Sequence, residues 1–183
     1  MTSTSPSSPR TAPLDTETAA RFVAAFQEFW RAPTVADFSI LSEDVTLVQP
    51  LAPVMHGLGE VRETFGRIFA SMPDMCGEVD RWSARDNVLF IEFRLRATIG
   101  GRPFEWPAVD RFRLNRDGRA TERVTWFDSM PLLLVMLRRP RAWPRLLRSG
   151  VLGLVLRSFG AGGPRPADYV GVAPGRSSVA DRL

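Results

Sequence analysis

The chain contains no lysine; all 24 of its basic residues are arginine, set against 20 acids. Without lysine there is no Schiff-base nucleophile, no anchor for pyridoxal phosphate and no Walker phosphate loop. Histidine and cysteine occur once each, as His56 and Cys76. That excludes an internal disulfide and a His/Cys metal cluster, and neither metal nor cofactor is expected. The single tyrosine, Tyr169, lies in a Gly/Pro-rich stretch near the C-terminus. No run approaches the ~20 apolar residues of a membrane span. The opening MTSTSPSSPRTAP lacks the apolar centre of a secretory signal, so a cytoplasmic location is expected. Chemistry is confined to carboxylates, arginines, amides, hydroxyls and indoles.

What remains is ample for a folded domain. Of 183 residues, 44% are hydrophobic and 24% charged, which fits one domain with appended ends. The sequence pI of 10.7 invites a nucleic-acid reading. The net charge is only +4, however, and arginines alternate with acids through most of the fold. The high pI reflects arginine's very high pKa and the missing lysines, so a solvated surface is expected and no nucleic-acid groove.

Residues 1–13 are Ser/Thr/Pro-rich and read as a disordered tail. Residues 15–31 are helical in pattern, with Phe22, Phe26 and Phe29 at spacings of four and three and Asp15 or Thr16 as cap. A shorter helix is expected over 35–41, then a strand in DVTLVQP ending at Pro50. A loop at 53–59 leads to a helix over 59–69. Strands follow at 78–83, 88–99, 103–114 and 119–128, joined by hairpin connections at 85–87, Gly100-Gly101 and 115–118. This order predicts an α+β fold in which a curved antiparallel sheet wraps onto N-terminal helices, extended by C-terminal helices.

One strand raises a chemical question. In FEWPAVDRFRL, two-residue alternation puts Phe104, Trp106, Ala108, Asp110, Phe112 and Leu114 on one face. Asp110 falls among aromatics, where a lone carboxylate costs several kcal/mol unless protonated, paired or open to a water-filled cavity. Either a partner rescues it or it lines a pocket.

The segment order, together with FVAAFQEFW, the MHGLGEVRETF strand-to-helix turn and VDRFRLNRDGRATERVTWFD, resembles the nuclear transport factor 2-like superfamily and its SnoaL-like members. The resemblance covers roughly residues 15–131. It implies a cone of sheet and helices around a deep pocket, and a homodimer formed through the convex sheet face. Members include polyketide cyclases, ketosteroid isomerases, limonene-epoxide hydrolases, dehydratases and non-catalytic proteins.

Residue by residue, the resemblance carries over in part. The ketosteroid isomerase base at the end of the first strand corresponds to Gln49, and the first-helix tyrosine to the region of Ala25 or Phe26. Their second acid, which donates to the developing oxyanion, matches Asp110. The acid that cyclases and epoxide hydrolases carry on the last long strand corresponds to Thr125, and the cyclase histidine to Asp110. Of the epoxide hydrolase Arg-x-Asp pair, Arg94-Leu95-Arg96 keeps the arginine. The family register turns Arg123, Thr125 and Phe127 inward.

The expected site therefore comprises Asp110 as general acid/base, with Gln49, Arg123 and Thr125 orienting substrate or water. Phe26, Phe93, Leu95, Trp106, Phe112, Phe127 and Met72 are its expected hydrophobic walls. A structural Asp110–Arg123 pair is the competing reading, and Trp126 and Phe29 are expected in the core. The domain is set at 14–131, a helical extension at 132–160 and a flexible tail at 161–183. Three roles stand open for the arginine-bearing extension, in descending weight: packing over the sheet or dimer surface, a lid, and an interfacial membrane anchor. The ligand expected is a hydrophobic small molecule, met either by a cofactor-independent enzyme or by a binding module.

Overall fold

A computed structural model describes residues 14–160 and 164–170. The expected tail at 1–13 lies outside the described residues. The first helix, α1 (Thr16–Arg31), buries Phe22, Phe26, Phe29 and Trp30. Its cap is Asp15, whose carboxylate accepts from the Thr18 backbone N–H at 2.7 Å, one of the donors a helix start leaves unpaired.

No helix covers 35–41, contrary to expectation. The Asp37 carboxylate accepts from the Ser39 backbone N–H at 3.1 Å and its hydroxyl at 2.7 Å. Such local side-chain bonds compete with helical pairing and turn the chain instead.

Strand β1 (Leu41–Val48) and the short β2 (Met55–His56) lead into helix α2 (Gly57–Ser71). The His56 backbone N–H donates to the Glu60 carboxylate at 2.8 Å, a side-chain bond that closes the first turn of α2. Strands β3 (Cys76–Arg85), β4 (Val88–Ile99), β5 (Arg102–Leu114) and β6 (Ala120–Trp126) then form the meander. The sheet order is β2-β1-β6-β5-β4-β3.

The α+β architecture expected from sequence is present, with one difference in the sheet. β1 and β6 run parallel, pairing Leu47 with Arg123 and Val48 with Val124, so the sheet is mixed. Parallel neighbours need a long crossover, which α2 and the three preceding strands supply. The pairing matters because Gln49 follows β1 directly and Thr125 lies one step along β6.

α1 packs against β3, an edge strand, through Gln27. Its amide accepts from the Val79 backbone N–H at 2.6 Å and donates to the Gly77 carbonyl at 3.2 Å. Gly77 suits the approach: a Cβ there would stand a tight 3.2 Å from the Trp30 Cβ. The register shifts between Val79 and Arg81, and such a bulge bends the strand. On the outer face, Arg94 pairs with Asp80 at 2.7 Å and Arg96 with Glu105 at 2.6 Å. These exposed pairs account for the alternating charges and add little stability.

The C-terminal extension packs on the domain. Helices α3 (Ser129–Arg138), α4 (Trp143–Ser149) and α5 (Val151–Ser158), with a 3₁₀ turn at Pro140–Ala142, bury Leu132, Met136, Leu146, Val151 and Leu154 in the common core. Arg139 anchors them to the β4–β5 hairpin, donating to the Ile99 and Arg102 carbonyls, each at 2.9 Å. Gly100 makes room, since a Cβ there would lie 2.8 Å from the Arg139 Cβ.

Within the expected flexible tail, Pro166–Val170 forms a helical turn, α6. Tyr169 lies beside Trp126, with ring centroids 6.2 Å apart. Trp126, expected in the core, is only half-buried on the outer face, with the Arg111 guanidinium 5.6 Å from its ring centroid.

The burial of these helices sets a stability test. Leu146→Ala removes a core side chain and should cost about 2–5 kcal/mol in urea unfolding. Leu147→Ala, exposed next door, should stay within about 0.5 kcal/mol. Equal effects at the two positions would show that α4 is not part of the cooperative core.

Candidate functional site

Asp110 occupies the middle of β5, paired in the ladder with Ile91 on β4 and Thr125 on β6. It is fully buried. Both carboxylate oxygens are engaged: Arg123 Nε donates to Oδ2 at 2.7 Å and Thr125 Oγ1 to Oδ1 at 2.6 Å. The Arg123 guanidinium carbon sits 5.7–5.9 Å from the ring centroids of Phe65, Trp30 and Phe112. A guanidinium over ring faces gains cation–π attraction, which offsets part of its desolvation. Burial pushes the Asp110 carboxyl up from its ordinary value; the Arg123 charge and the two hydrogen bonds push back.

Between this pair and the C-terminal helices lies an apolar cavity of about 70 Å³. Its floor is polar: Gln49, Arg123 and Thr125. Its walls include Trp30, Phe65, Leu95, Trp106, Phe127 and Met72, and α3 and α5 cover it with Leu132, Met136, Val151 and Val155.

Sequence-expected residues thus separate into two groups. Gln49, Arg123, Thr125, Leu95, Trp106, Phe127 and Met72 come together around the cavity. Asp110, Phe26, Phe93 and Phe112 do not line it. Phe26 packs edge-on to Phe93 and Phe112, with centroids 5.2 and 5.5 Å apart, inside the core. Alternation assigned Asp110, Phe93 and Phe112 to the correct face, but distance along the strand and the layer of Arg123 and Thr125 separate them from the cavity. Asp110 stands behind that layer.

Arg94 lies on the outer face among acids, away from the cavity. His56 is exposed at the start of α2. Trp30 was missed as a wall, although it lies four residues after Phe26 on the same helical stripe. The residues of α3 and α5 had only their apolar periodicity to indicate a place, and nothing local to say over which opening.

Two buried polar groups stand out in the walls. The indole N–H groups of Trp30 and Trp106, residues only 2% and 4% exposed, have no acceptor among the described residues. Buried donors are nearly always paired, so two unpartnered ones on residues that line one small cavity bear on what it holds.

Fold and cavity together define a SnoaL-like α+β cone with a hydrophobic pocket and a cationic floor. The SnoaL-like domain family matches residues 19–123, more than half of the chain, and the chain belongs to that family. Among solved structures it is similar to TerC co-crystallised with polyporic acid, at 16% identity and TM-score 0.59, covering 66% of this chain and 98% of that one. IdmH of Streptomyces antibioticus, named as a candidate polyketide cyclase, shares 19% identity with TM-score 0.56 over 64% of this chain and 97% of its own. An epoxide hydrolase of the limonene-epoxide hydrolase-like type from M. tuberculosis shares 19%, with TM-score 0.56 over 70% and 96%. No curated protein matches the chain by sequence.

The Asp110 environment fixes the sign of a pH effect. The folded chain binds this proton more tightly than the unfolded chain does. Its contribution is therefore fully present below the ordinary aspartate value near 3.9 and is lost as pH rises through the folded value. Asp74, held down by hydrogen bonding from Thr98, runs oppositely: its contribution is present above the ordinary value and lost as pH falls. Urea unfolding of wild type and Asp110→Asn between about pH 4 and pH 8 isolates the first group. We expect the wild-type advantage to shrink with rising pH; an advantage that grows would mean that the ion pair outweighs burial.

Proposed function

We propose that the chain is a cofactor-independent enzyme acting on a hydrophobic small molecule that carries oxygen acceptors, such as a polyketide or terpenoid intermediate. The observation that carries this reading is the donor-rich wall. The Trp30 and Trp106 N–H groups lack protein acceptors. Among the described residues the Arg123 guanidinium donates only to Asp110, through Nε. A carbonyl or enol oxygen satisfies such groups, whereas an ammonium, which only donates, does not.

The chemistry follows from what each group can do. Arg123, held by Asp110, supplies a fixed positive charge where an oxyanion develops, and preorganised charge in a dry site is the strongest catalytic lever available here. The Thr125 hydroxyl donates to Asp110 and keeps its lone pairs for a substrate proton. Asp110 then acts as general acid/base through Thr125. A substrate C–H or O–H proton passes to Oγ1 while the Thr125 proton passes to Oδ1, and the electron pair goes to the substrate oxygen facing Arg123. Gln49 orients the carbonyl or a water. Enolisation-linked cyclisation or isomerisation uses this set directly; dehydration or epoxide opening uses its acid form. The solved relatives named as cyclase and epoxide hydrolase support the same class of substrate.

The cavity of about 70 Å³ is far below the ~300 Å³ or more of ligand sites. Substrate entry thus requires part of this cover to move, and Gly150, left-handed at φ 72° between α4 and α5, is the natural hinge for α5. In this reading the extension is both packing and lid. A second reading, a binding module, is favoured by one observation: both Asp110 oxygens are already satisfied within the protein.

A thermal-shift screen of hydrophobic ketones, epoxides and polycyclic phenols would supply a ligand. Trp106→Phe keeps the ring and removes the donor. It should weaken an oxygen-bearing ligand about 2–12-fold while leaving the parent hydrocarbon unaffected. Asp110→Asn and Thr125→Val should each lower turnover about 10²–10⁴-fold with modest change in affinity. Wild-type turnover in both variants would leave only the binding reading.

A further inference from the structure

The extension carries a feature that neither packing nor a lid requires. Residues 129–160 contain six arginines, Arg138, Arg139, Arg141, Arg145, Arg148 and Arg157, and no acid. The chain has 24 basic and 20 acidic residues; setting these six apart leaves 18 against 20, a net of −2. All of the protein's excess positive charge therefore belongs to this segment.

The same helices are apolar on the side away from the core. Met130, Leu134 and Leu137 on α3, Trp143 and Leu147 on α4, and Leu152, Leu156 and Phe159 on and just after α5 are exposed. On α3 and α5 they recur at spacings of four and three, and on α4 at a spacing of four, so they form outward stripes beside the buried Leu132, Met136, Leu146, Val151 and Leu154. Leu147, Leu156 and Phe159 are 67%, 73% and 72% exposed, and large apolar patches on a free surface mark a contact site.

Beside them Arg141, Arg145 and Arg148 line an open cleft of about 370 Å³ with Ser71, Thr98 and Gly100. Its neighbouring acid, Asp74, is already engaged by the Thr98 N–H at 3.0 and 3.1 Å. Arginine forks of this kind suit a phosphate group.

We propose that this face docks on an anionic lipid bilayer, with the exposed leucines, Trp143 and Phe159 entering the interface and the arginines meeting lipid phosphates. Charge complementarity selects this occupant over a second copy. Two copies meeting through the face would oppose arginine with arginine and offer no acid. The contact lies on the bilayer and does not span it, because no helix among the described residues is long and apolar enough to cross. It is independent of the pocket's chemistry, although α3 and α5 present one side to the cavity and the other to the lipid.

The test uses the full chain with vesicles of phosphatidylcholine alone or with about one third phosphatidylglycerol, read by flotation and by quenching of Trp143 with brominated lipid. Binding is expected only to the anionic vesicles and should weaken at high salt. Each arginine near the surface is worth roughly fivefold in partitioning, so a triple Arg138→Gln, Arg145→Gln, Arg148→Gln variant should bind on the order of 100-fold less. Leu147→Ser with Leu156→Ser should also weaken binding, with an unchanged circular dichroism spectrum and melting temperature. Equal binding to neutral vesicles, no binding to either, or indifference to the leucine pair would each overturn the proposal. So would a wild-type dimer in light scattering that the leucine pair converts to monomer while the wild type ignores vesicles, since a second copy would then cover the face.

Discussion

Arg123 and Asp110 sit diagonally across the β5–β6 ladder, inside an interior otherwise built from phenylalanine, tryptophan and aliphatic side chains. Burying two charges there is tolerable only when their geometry is good and their remaining hydrogen-bonding capacity is used. Asp110 meets that condition with two short bonds, and Arg123 meets part of it with a bond and three ring faces. The helices follow from this arrangement. α1 must bring Trp30 and α2 must bring Phe65 over the guanidinium, and both are held there by side chains they bury in the same cluster. Removing one charge would strand the other, which is why the pair behaves as one structural unit.

The same pair shapes the site. Its cation is exposed to the cavity and its anion is withdrawn behind, so the pocket has an electropositive floor without a free carboxylate. Among the described residues that line the cavity, Arg123 is the only cationic one. The hydrophobic roof comes from the extension, whose helices are fastened at Arg139 to the β4–β5 hairpin and turn at Gly150.

Much of the architecture was legible because it rests on local periodicity. The spacing of Phe22, Phe26 and Phe29 identifies α1 and its buried side, and alternation in FEWPAVDRFRL sorts β5 correctly onto two faces. Asp15 as cap and Gly100-Gly101 as a hairpin turn were readable for the same reason: each is decided within a few residues. The turn at 35–39 was misread because Asp37 can satisfy Ser39 as readily as a helix would, and the pattern of apolar residues does not weigh that competition.

Sequence by itself determined the apolar faces of α1 and β5, the place of Asp110 on the apolar face of β5 and the exclusion of lysine-dependent chemistry, since these follow from side-chain period and residue type. Tertiary structure alone decided that β1 runs parallel to β6, that Gln49, Arg123 and Thr125 meet at one cavity, and that Asp110 lies behind it with Phe93 and Phe112. It also decided that α3 and α5 lie over the cavity. The physical reason is range. A two-residue period says which face a side chain takes, but depth along that face depends on pairing between strands far apart in the chain and on which helix is laid over them.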